Sequence, residues 1–427
     1  MKKTISFYTL GCRSNQSETA VLENLCKQHG FTLIPENQES DIAVINTCTV
    51  TEKSDSDTRR LVSKICRLNK KVKIALIGCQ AQTQKEELVK FSNVRWVIGN
   101  AKKMQLPEII AKPENNQQEV LVSPISKEPF TMPASGTSEK RTRANIKIQD
   151  GCDSFCAYCE VPYARGNARS REFDDIIKEA KNLAAFGHKE IVLTGINLGA
   201  YHFKKKTIND VIKEVMLVDG IKRIRISSIE PNTIPSDLIL LMASNTKLCR
   251  YLHIPIQSAC DEILSSMKRH YTANDLDLFL QFAAQNIPEI CIGADVIVGF
   301  PGETDRFFER TYEFFEQAPI SYFHTFSYST RKFAESKNFP NQVTKKTIVK
   351  RSQYLRELSE RKKNSFTQKF IGTRQKVLFE ERKNKMWTGL TDNYLRVYAS
   401  SDKDLRNQLC RVSIDKIKSG SLFGQIQ

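Results

Sequence analysis

The sequence predicts an α/β protein built from three folded parts. These are an N-terminal parallel sheet of flavodoxin-like topology, a central open (β/α)6 partial barrel and a small C-terminal β-barrel. The first 112 residues alternate short apolar strands with amphipathic helices, six further strand–helix units follow from residue 144, and only short alternating strands remain beyond residue 370. A chain of 427 residues is long enough to give each part its own core.

In the N-terminal part, residues 1–112, the predicted strands are ISFYTL, DIAVIN, VKIALIG and VRWVIGN. The first three strands each run into a cysteine, and these cysteines are Cys12, Cys48 and Cys79. Ligands of open parallel sheets bind beyond the carboxyl ends of the strands, so three thiols that are distant in sequence can converge there. The alternative is that each is an ordinary core cysteine, which is how we interpret Cys26 and Cys66 in the predicted helices.

Residues 113–143 are predicted to be a linker, because polar residues, proline and glycine dominate this segment. The partial barrel is assigned to residues 144–343, with the strands ANIKIQ, EIVLTG, IRISSI, YLHIPI, ICIGADVIVGF and YFHTFSY. A long basic helix over residues 344–369 then leads to the small β-barrel of residues 370–427.

The stretch GCDSFCAYCEVPYARG, at 151–166, carries three cysteines in the spacing C-x3-C-x2-C, and these are Cys152, Cys156 and Cys159. A structural zinc site needs four ligands, and an ordinary iron–sulfur cluster takes four thiolates. Three thiolates on one loop would leave one iron of a [4Fe–4S] cluster open to bind a substrate. Phe155 and Tyr158 would shield such a cluster from water. The alternative is three cysteines that bind no cluster.

The loops after the six barrel strands are polar or rich in glycine, and the chemistry of barrels lies in these loops. The residues that mark them are Asn197, Ser228, Glu230, Gln257, Asp295, Gly299 and Tyr328. Each of these residues also has a purely structural explanation, because glycine is favoured in turns, serine and glutamate cap helices, and asparagine is common in loops. The GFPGET segment lacks the Gly-Lys-[Ser/Thr] ending of a phosphate loop, which argues against ATP binding.

The net charge is +17, and the last 83 residues carry 20 lysines and arginines against 8 aspartates and glutamates. Such a basic segment favours binding to nucleic acid, although a solvated charged helix is the alternative. Trp387, Tyr394 and Tyr398 could stack on bases or pack in the barrel core. No apolar run is long enough for a membrane span or a secretion signal. Twelve cysteines without such a signal favour metal or catalytic use in the cytoplasm.

Together these motifs resemble the radical S-adenosylmethionine (SAM) methylthiotransferases. The resemblance covers nearly the whole chain and rests on TLGCRSNQSE, INTCTV, GCQAQ, DGCDSFCAYCEVPYARG, LTGIN, RISSIE, HIPIQS, DVIVGFPGET and LTDNYLRVY. Within the family, INTCTVT, KEIVLTGIN, RIRISSIE and TDNYLRV are most similar to the MtaB branch. That branch adds a methylthio group to C2 of N6-threonylcarbamoyladenosine, next to the tRNA anticodon.

The resemblance implies a radical-SAM partial barrel, a TRAM-like C-terminal barrel and two [4Fe–4S] clusters. The SAM-binding cluster would be held by Cys152, Cys156 and Cys159, and an auxiliary cluster that carries the sulfur by Cys12, Cys48 and Cys79. The SAM pocket would be lined by Tyr158, Asn197, Ser228, Glu230, Gln257, Ile297 and Gly299. One SAM would supply the methyl group and another the radical, and no catalytic residue is implied beyond the cluster ligands. The implied partners are a tRNA anticodon stem-loop and an electron-donor protein of the flavodoxin or ferredoxin type, without DNA or a membrane.

Three other functions remain open at this point. The family also contains a MiaB branch, which acts on isopentenyladenosine in tRNA, and a RimO branch, which acts on a ribosomal-protein aspartate. A metal-containing RNA-binding protein without enzymatic activity is the alternative of another class. The chain also departs from the family pattern: the usual Gln-Ser-Gly-Ser reads Gln257-Ser258-Ala259-Cys260 here. We interpret Cys260 as a packing residue.

Overall fold

The computed structural model describes residues 3–113, 117–133 and 142–427. In the N-terminal part the strands are β1 Thr4–Thr9, β2 Thr32–Leu33, β3 Ile42–Thr47, β4 Lys73–Gly78, β5 Val94–Ile98 and β6 Glu119–Leu121. The helices are α1 Arg13–Gln28, α2 Glu52–Leu68, α3 Cys79–Thr83, α4 Lys85–Leu88 and α5 Leu106–Ala111. The strands run parallel in the order β2-β1-β3-β4-β5-β6, which is the flavodoxin order with one further edge strand. The predicted fold class is confirmed for this part.

Both faces of this sheet are covered, which explains why its central strands are almost continuously apolar. Ile42 and Val44 of β3 pack into one core, whereas Ala43 and Ile45 pack into a second core on the opposite face. Strand β6 lies within the segment predicted as a linker. It pairs with β5 and thereby covers backbone groups that an edge strand would otherwise leave unpaired.

The central part contains β7 Arg143–Lys147, β8 Gln149–Asp150, β9 Arg169–Ser170, β10 Glu190–Thr194, β11 His202–Phe203, β12 Lys206–Thr207, β13 Arg223–Ile226, β14 Tyr251–Gln257, β15 Cys291–Val298 and β16 Tyr322–Ser327. Its helices are α6 Val161–Arg165, α7 Phe173–Ala185, α8 Ile208–Leu217, α9 Ser236–Ser244, α10 Asp261–Ser266, α11 Ala273–Asn286 and α12 Asp305–Gln317. Short 3-10 helices occupy Lys103–Gln105, Leu198–Ala200, Pro231–Thr233 and Glu335–Asn338.

The barrel strands form two parallel sheets of order β13-β10-β7 and β14-β15-β16. Isolated bridges join Ile224 to Leu248 and Ser228 to His253, so the two sheets curve into one partial barrel. One large apolar core fills the space between these strands and the surrounding helices. The two-residue strands β8, β9, β11 and β12 had no signal in the sequence, because a periodicity of two needs a longer run to be recognised.

The C-terminal part consists of α13 Lys345–Gln368 and the strands β17 Arg374–Lys383, β18 Met386–Thr391, β19 Arg396–Ser400, β20 Leu409–Lys418 and β21 Ser421–Ile426. These strands close into a barrel of order β17-β18-β19-β21-β20, as the fold prediction requires. Leu355 and Leu358 of α13 belong to the partial-barrel core. The predicted basic helix is therefore a packing element on one face and a charged surface on the other.

The three aromatic residues proposed to stack on bases take different positions. Trp387 is 5% exposed and belongs to the core of the small barrel, so the core alternative holds for this residue. Tyr394 stacks on Tyr251 of the partial barrel, with ring centroids 4.5 Å apart. Tyr398 remains half-buried and stacks on Phe423 within the small barrel.

The small barrel is fixed to the partial barrel by two buried arginines. Arg223 donates to the carbonyl oxygens of Leu390 and Lys376, and Arg225 donates to those of Thr391 and Asp392. None of the helices in the described ranges has both the length and the apolar character required to cross a membrane.

Candidate active site

The C-x3-C-x2-C loop connects β8 to α6, and its backbone path depends on a glycine. Gly151 has a φ of +71°, and a Cβ at this position would lie 2.0 Å from the carbonyl oxygen of Asn167. Only glycine allows this conformation together with this close approach. The amide of Cys152 donates to the carbonyl oxygen of Gly166 at 3.1 Å, which closes the base of the loop.

All three sulfurs of this loop have hydrogen-bond donors nearby. The amide of Ser154 lies 3.5 Å from Cys152 Sγ, the amide of Val161 lies 3.4 Å from Cys159 Sγ, and Arg269 Nη1 lies 3.5 Å from Cys156 Sγ. Burial raises the pKa of the Cys152 and Cys159 thiols, and repulsion from the neighbouring Cys156 adds to both shifts. A metal would replace the proton on each sulfur, and the donors would then stabilise the thiolates.

The three cysteines that were predicted to follow separate strands meet at the carboxyl edge of the N-terminal sheet. Cys12 precedes α1, Cys48 follows β3 and Cys79 begins α3. A Cβ on Gly11 would lie 2.7 Å from Cys48 Cβ, so the loops after β1 and β3 touch. Burial, followed by repulsion from Cys79 and Cys12, raises the pKa of Cys48 to about 11. The structure thus brings together the three thiols that follow three separate strands.

A cavity of about 170 Å³ lies beside the C-x3-C-x2-C loop. It is lined by Thr49, Val50, Thr51, Tyr158, Cys159, Glu160, Val161, Gln257, Asp295, Ile297, Phe326, Ser327, Tyr328 and Ser329. The first three of these residues directly follow Cys48, whereas Tyr158 and Cys159 belong to the other thiol loop. Cys159 therefore lines the cavity directly, whereas the N-terminal thiol group reaches it only through the loop that follows Cys48.

Among the predicted SAM-pocket residues, Tyr158, Gln257 and Ile297 line this cavity. Gln257 has a φ of +68°, and its buried Oε1 has no hydrogen-bond partner within the described part of the chain. A buried acceptor without a donor costs free energy unless a ligand supplies one. This orphaned oxygen is suited to the amino group of a bound amino acid.

Glu230 lies beside the thiol loop and is paired with Arg269. The Arg269 guanidinium donates to both Glu230 carboxylate oxygens, to Cys156 Sγ and to the Tyr158 hydroxyl. Burial raises the pKa of Glu230, and the attraction of Arg269 opposes that shift. Sequence reasoning missed Arg269, because an arginine just beyond α10 belongs to no recognisable motif.

The remaining predicted pocket residues do not line the small cavity. Asn197 Oδ1 accepts from the Thr233 hydroxyl at 2.9 Å, which braces the loop after β13. Ser228 borders a larger cavity on the side of the C-terminal barrel. Gly299 has a φ of +81°, and a Cβ there would lie 2.3 Å from Ile348 of α13. Gly299 is therefore needed for the turn after β15 and for the close packing of this turn against α13.

Two histidines that the sequence did not single out lie on the inner face of the partial barrel. His253 Nε2 lies 3.0 Å from Asp295 Oδ1, and His324 is close enough that one ligand atom from each of the three residues lies within 4.8 Å of the others. Burial lowers the pKa of His324. Asp295 lines the small cavity and both histidines line the larger one, so this cluster separates the two spaces.

A buried ionic network joins the N-terminal sheet to the thiol loop. Glu18 of α1 contacts Lys103 at 2.5 Å, Lys147 at 2.6 Å and Arg165 at 2.9 Å. Asp150 pairs with Arg165 at 2.8 Å and with Lys147 at 2.7 Å. The surrounding cations hold the pKa of Glu18 and of Asp150 well below their usual range despite burial.

Arg165 connects this network to the thiols of the N-terminal part. It ends α6, six residues after Cys159, and it interacts electrostatically with Cys79 and Cys12. Asn100 adds a second link, because its Nδ2 lies 3.6 Å from Cys79 Sγ and 2.6 Å from the carbonyl oxygen of Ala164. The position of α6 therefore depends on both parts of the chain.

Residues 4–99 match the uncharacterized protein family UPF0004, and residues 146–315 match the radical SAM superfamily. The threonylcarbamoyladenosine tRNA methylthiotransferase MtaB of Aquifex aeolicus is 35% identical and covers 96% of this chain and 100% of its own. The chain belongs to the radical-SAM methylthiotransferase family. The MtaB of Bacillus subtilis is also 35% identical, covering 99% of this chain and 96% of its own.

A second kind of relative of this methylthiotransferase is the tRNA-2-methylthio-N(6)-dimethylallyladenosine synthase of Ehrlichia canis, which is 33% identical over 99% of this chain and 100% of its own. Among solved structures, the radical SAM methyltransferase TsrM from Kitasatospora setae, with cobalamin and a [4Fe–4S] cluster bound, matches with a TM-score of 0.58 and 15% identity. That match covers 77% of this chain and 75% of TsrM and shows the fold alone.

Family membership means that this methylthiotransferase uses SAM and an iron–sulfur cluster. The residues fit both groups, because three thiols with nearby donors suit iron and the unpaired Gln257 oxygen suits the amino group of SAM. Cys260 is 1% exposed and packs with Ile263, Met267 and Phe300. This agrees with its interpretation as a packing residue.

Proposed function

We propose that this enzyme adds a methylthio group to C2 of N6-threonylcarbamoyladenosine, next to the anticodon of tRNA. One SAM would supply the methyl group and another the radical. The observation that carries the proposal is the small cavity lined by Cys159 of one thiol group and by the residues that directly follow Cys48 of the other. The curated relatives in Aquifex aeolicus and Bacillus subtilis, whose names specify this nucleoside, support the choice of substrate.

We propose two [4Fe–4S] clusters, one held by Cys152, Cys156 and Cys159 and one held by Cys12, Cys48 and Cys79. When bound, the first cluster would supply the electron for reductive cleavage of SAM, and the second would supply a site for the sulfur that replaces hydrogen at the unactivated C2. Because the cleavage is reductive, it needs an electron, and we propose that a protein of the flavodoxin or ferredoxin type donates it. Transfer RNA as the substrate places the reaction in the cytoplasm.

The protein itself positions the reactants and excludes water. Gln257 Oε1 would accept a hydrogen bond from the SAM amino group, and Tyr158 and Ile297 would form the walls of the SAM site. Arg269 would stabilise the Cys156 thiolate while it holds Glu230 beside the loop. Asn197 would keep the loop after β13 in place. Ser228 would face the nucleoside. Gly299 would form the turn that ends β15.

The basic C-terminal segment is proposed to bind the RNA backbone. Exposed cations cover the outer face of α13 and continue onto the small barrel, and they include Lys345, Lys346, Lys350, Arg356, Arg361, Lys363, Lys369, Arg374 and Lys376. We expect four to six of these or neighbouring cations to contact phosphates. Binding of a tRNA anticodon stem-loop should then weaken roughly 100- to 1,000-fold between about 50 and 200 mM salt, because bound counterions are released. Filter binding over a salt series measures this, and salt-independent affinity would contradict the proposed role.

The proposed substrate is tested by mass spectrometry of the nucleosides in total tRNA from cells with and without this gene. We expect the methylthio derivative of N6-threonylcarbamoyladenosine to disappear while other modified nucleosides persist. Loss of only the methylthio derivative of isopentenyladenosine would overturn the choice of nucleoside and favour the activity named for the Ehrlichia canis relative. If no tRNA nucleoside changed and a ribosomal-protein aspartate lost its methylthio group, the RNA substrate would be wrong. Re-expression of the wild-type gene is the control.

A further inference from the structure

The larger cavity, of about 670 Å³, lies between the partial barrel, α13 and the C-terminal barrel. At one end it is lined by Arg13, which directly follows Cys12. His253 and His324 form its inner wall, and Tyr398 and Ser421 lie on the small barrel at the other end. The cavity thus extends from the N-terminal thiol group to the proposed RNA-binding barrel.

The lining of this cavity is positively charged. In the part of the chain that the structure describes, its lining includes the cations Arg13, Lys363 and Arg396 and contains no carboxylate. Arg396 is already paired with Glu380 at 3.3 Å, and Lys363 is exposed near Glu360. The cavity therefore favours an anionic ligand over an aliphatic one, because an apolar group would desolvate these cations without compensating their charge.

Arg13 is the cation of this lining that is best placed to hold such an anion. Within the described residues it forms no ion pair with a carboxylate, and its Nη2 donates to the Tyr394 hydroxyl at 2.9 Å. It begins α1, whose first turn contains no acidic residue, although helix N-termini favour negative charge. An arginine at that position therefore adds to a site that already attracts anions.

A competing explanation is that Arg13 only balances the thiolate charge of the neighbouring cysteine group. The arrangement of charges argues against this. Arg165 interacts with Cys79 and Cys12, whereas the Arg13 guanidinium donates to the Tyr394 hydroxyl and lies 5.8 Å from the centre of the Tyr394 ring, which lines the cavity. Arg13 therefore borders this cavity, and it also borders a neighbouring cavity of about 450 Å³ whose lining includes Glu380 and Glu381.

We propose that Arg13 binds the carboxylate of the threonylcarbamoyl group and thereby selects this nucleoside over one that carries an isoprenoid chain. This inference rests on the proposed function and names the residue that reads the substrate. The threonylcarbamoyl substituent ends in a free carboxylate, and the planar guanidinium of arginine matches the geometry of a carboxylate. An isoprenoid substituent has no group that could pair with Arg13.

The test uses the holoenzyme, reconstituted with iron and sulfide under anaerobic conditions, and two anticodon stem-loop RNAs. One carries N6-threonylcarbamoyladenosine, and the other carries the same nucleoside with its carboxylate converted to the neutral carboxamide. We expect the wild-type enzyme to bind and methylthiolate the carboxylate form at least about tenfold better, and Arg13→Gln to lose that preference. Arg13→Lys should retain part of the preference, because it keeps the positive charge but loses the planar geometry of the guanidinium.

The matched control is Arg67→Gln on the exposed surface of α2, which removes the same charge and should keep the preference. Binding is measured by competition and product by mass spectrometry, so the effect on recognition is separated from the effect on turnover. If the wild type does not discriminate between the two RNAs, or if Arg13→Gln discriminates as well as the wild type, the inference is overturned while the proposed function stands. If the wild type modifies neither of these RNAs but modifies a third stem-loop that carries isopentenyladenosine, the proposed function falls as well.

Discussion

Replacing Cys12, Cys48 and Cys79 together with alanine is expected to abolish methylthiolation while SAM cleavage continues. The physical reason is the separation of roles: these three thiols lie at the edge of the N-terminal sheet, whereas Cys152, Cys156 and Cys159 belong to a different loop. Loss of the first group should lower the iron content from about eight to about four per chain, since each cubane holds four irons. The measurements are anaerobic iron and sulfide analysis, 5′-deoxyadenosine release and product mass spectrometry.

Two further variants make this result interpretable. Cys156→Ala should abolish both SAM cleavage and methylthiolation, because the SAM-binding cluster would lose a ligand. The double variant Cys66→Ala/Cys410→Ala removes two cysteines outside both groups and should retain both activities. Continued 5′-deoxyadenosine release in the triple variant would also show that the protein is folded. A triple variant that still transfers the methylthio group would disprove the assignment of the second cluster.

The strand and helix order of this enzyme could be predicted because its strands are long, apolar and regularly separated by helices. The positions of Cys12, Cys48 and Cys79 could be predicted for the same reason, since the carboxyl ends of parallel strands share one edge. The two-residue strands were not predicted. Strand β6 was not predicted either, because it forms by pairing with the edge strand β5, and the sequence alone does not show which strand lies at the edge. A local sequence pattern shows the periodicity of a segment, but it does not show which distant segment will pack against it.

The residues that sequence reasoning missed depend on such tertiary partners. Arg269 lies 39 residues from Glu230 in sequence, yet it contacts Glu230, Cys156 and Tyr158 through one guanidinium. Lys103 follows another lysine in a segment that would be expected on the surface, yet it is 2% exposed. A charged side chain is buried where partners from other segments compensate its charge, and no single stretch of sequence contains that information.

The thiol loop is positioned by charges that are costly to disturb. Glu18 has no exposed surface and contacts three cations, and Asp150 is the other carboxylate of the network. Burial, together with repulsion from Arg165 and Lys147, lowers the pKa of Lys103 to about 8, although the attraction of Glu18 opposes this shift. The network therefore remains favourable only while both carboxylates are charged.

Glu18→Gln is expected to destabilise the protein by about 3–5 kcal/mol, because it leaves buried cations without sufficient negative charge. The pKa of Glu18 is lowered in the folded protein, so its contribution to stability is fully present above the unfolded value of 4.5 and is lost as the pH falls through the lower folded value. Urea denaturation from pH 7 downward should show the wild type losing stability below about pH 4.5, with the difference from Glu18→Gln shrinking over the same range. Glu309→Gln, at an exposed position of α12, should change the stability by less than about 0.5 kcal/mol. Equal denaturation of wild type and Glu18→Gln at pH 7 would show that this junction does not hold α6, and with it the thiol loop, against the N-terminal sheet.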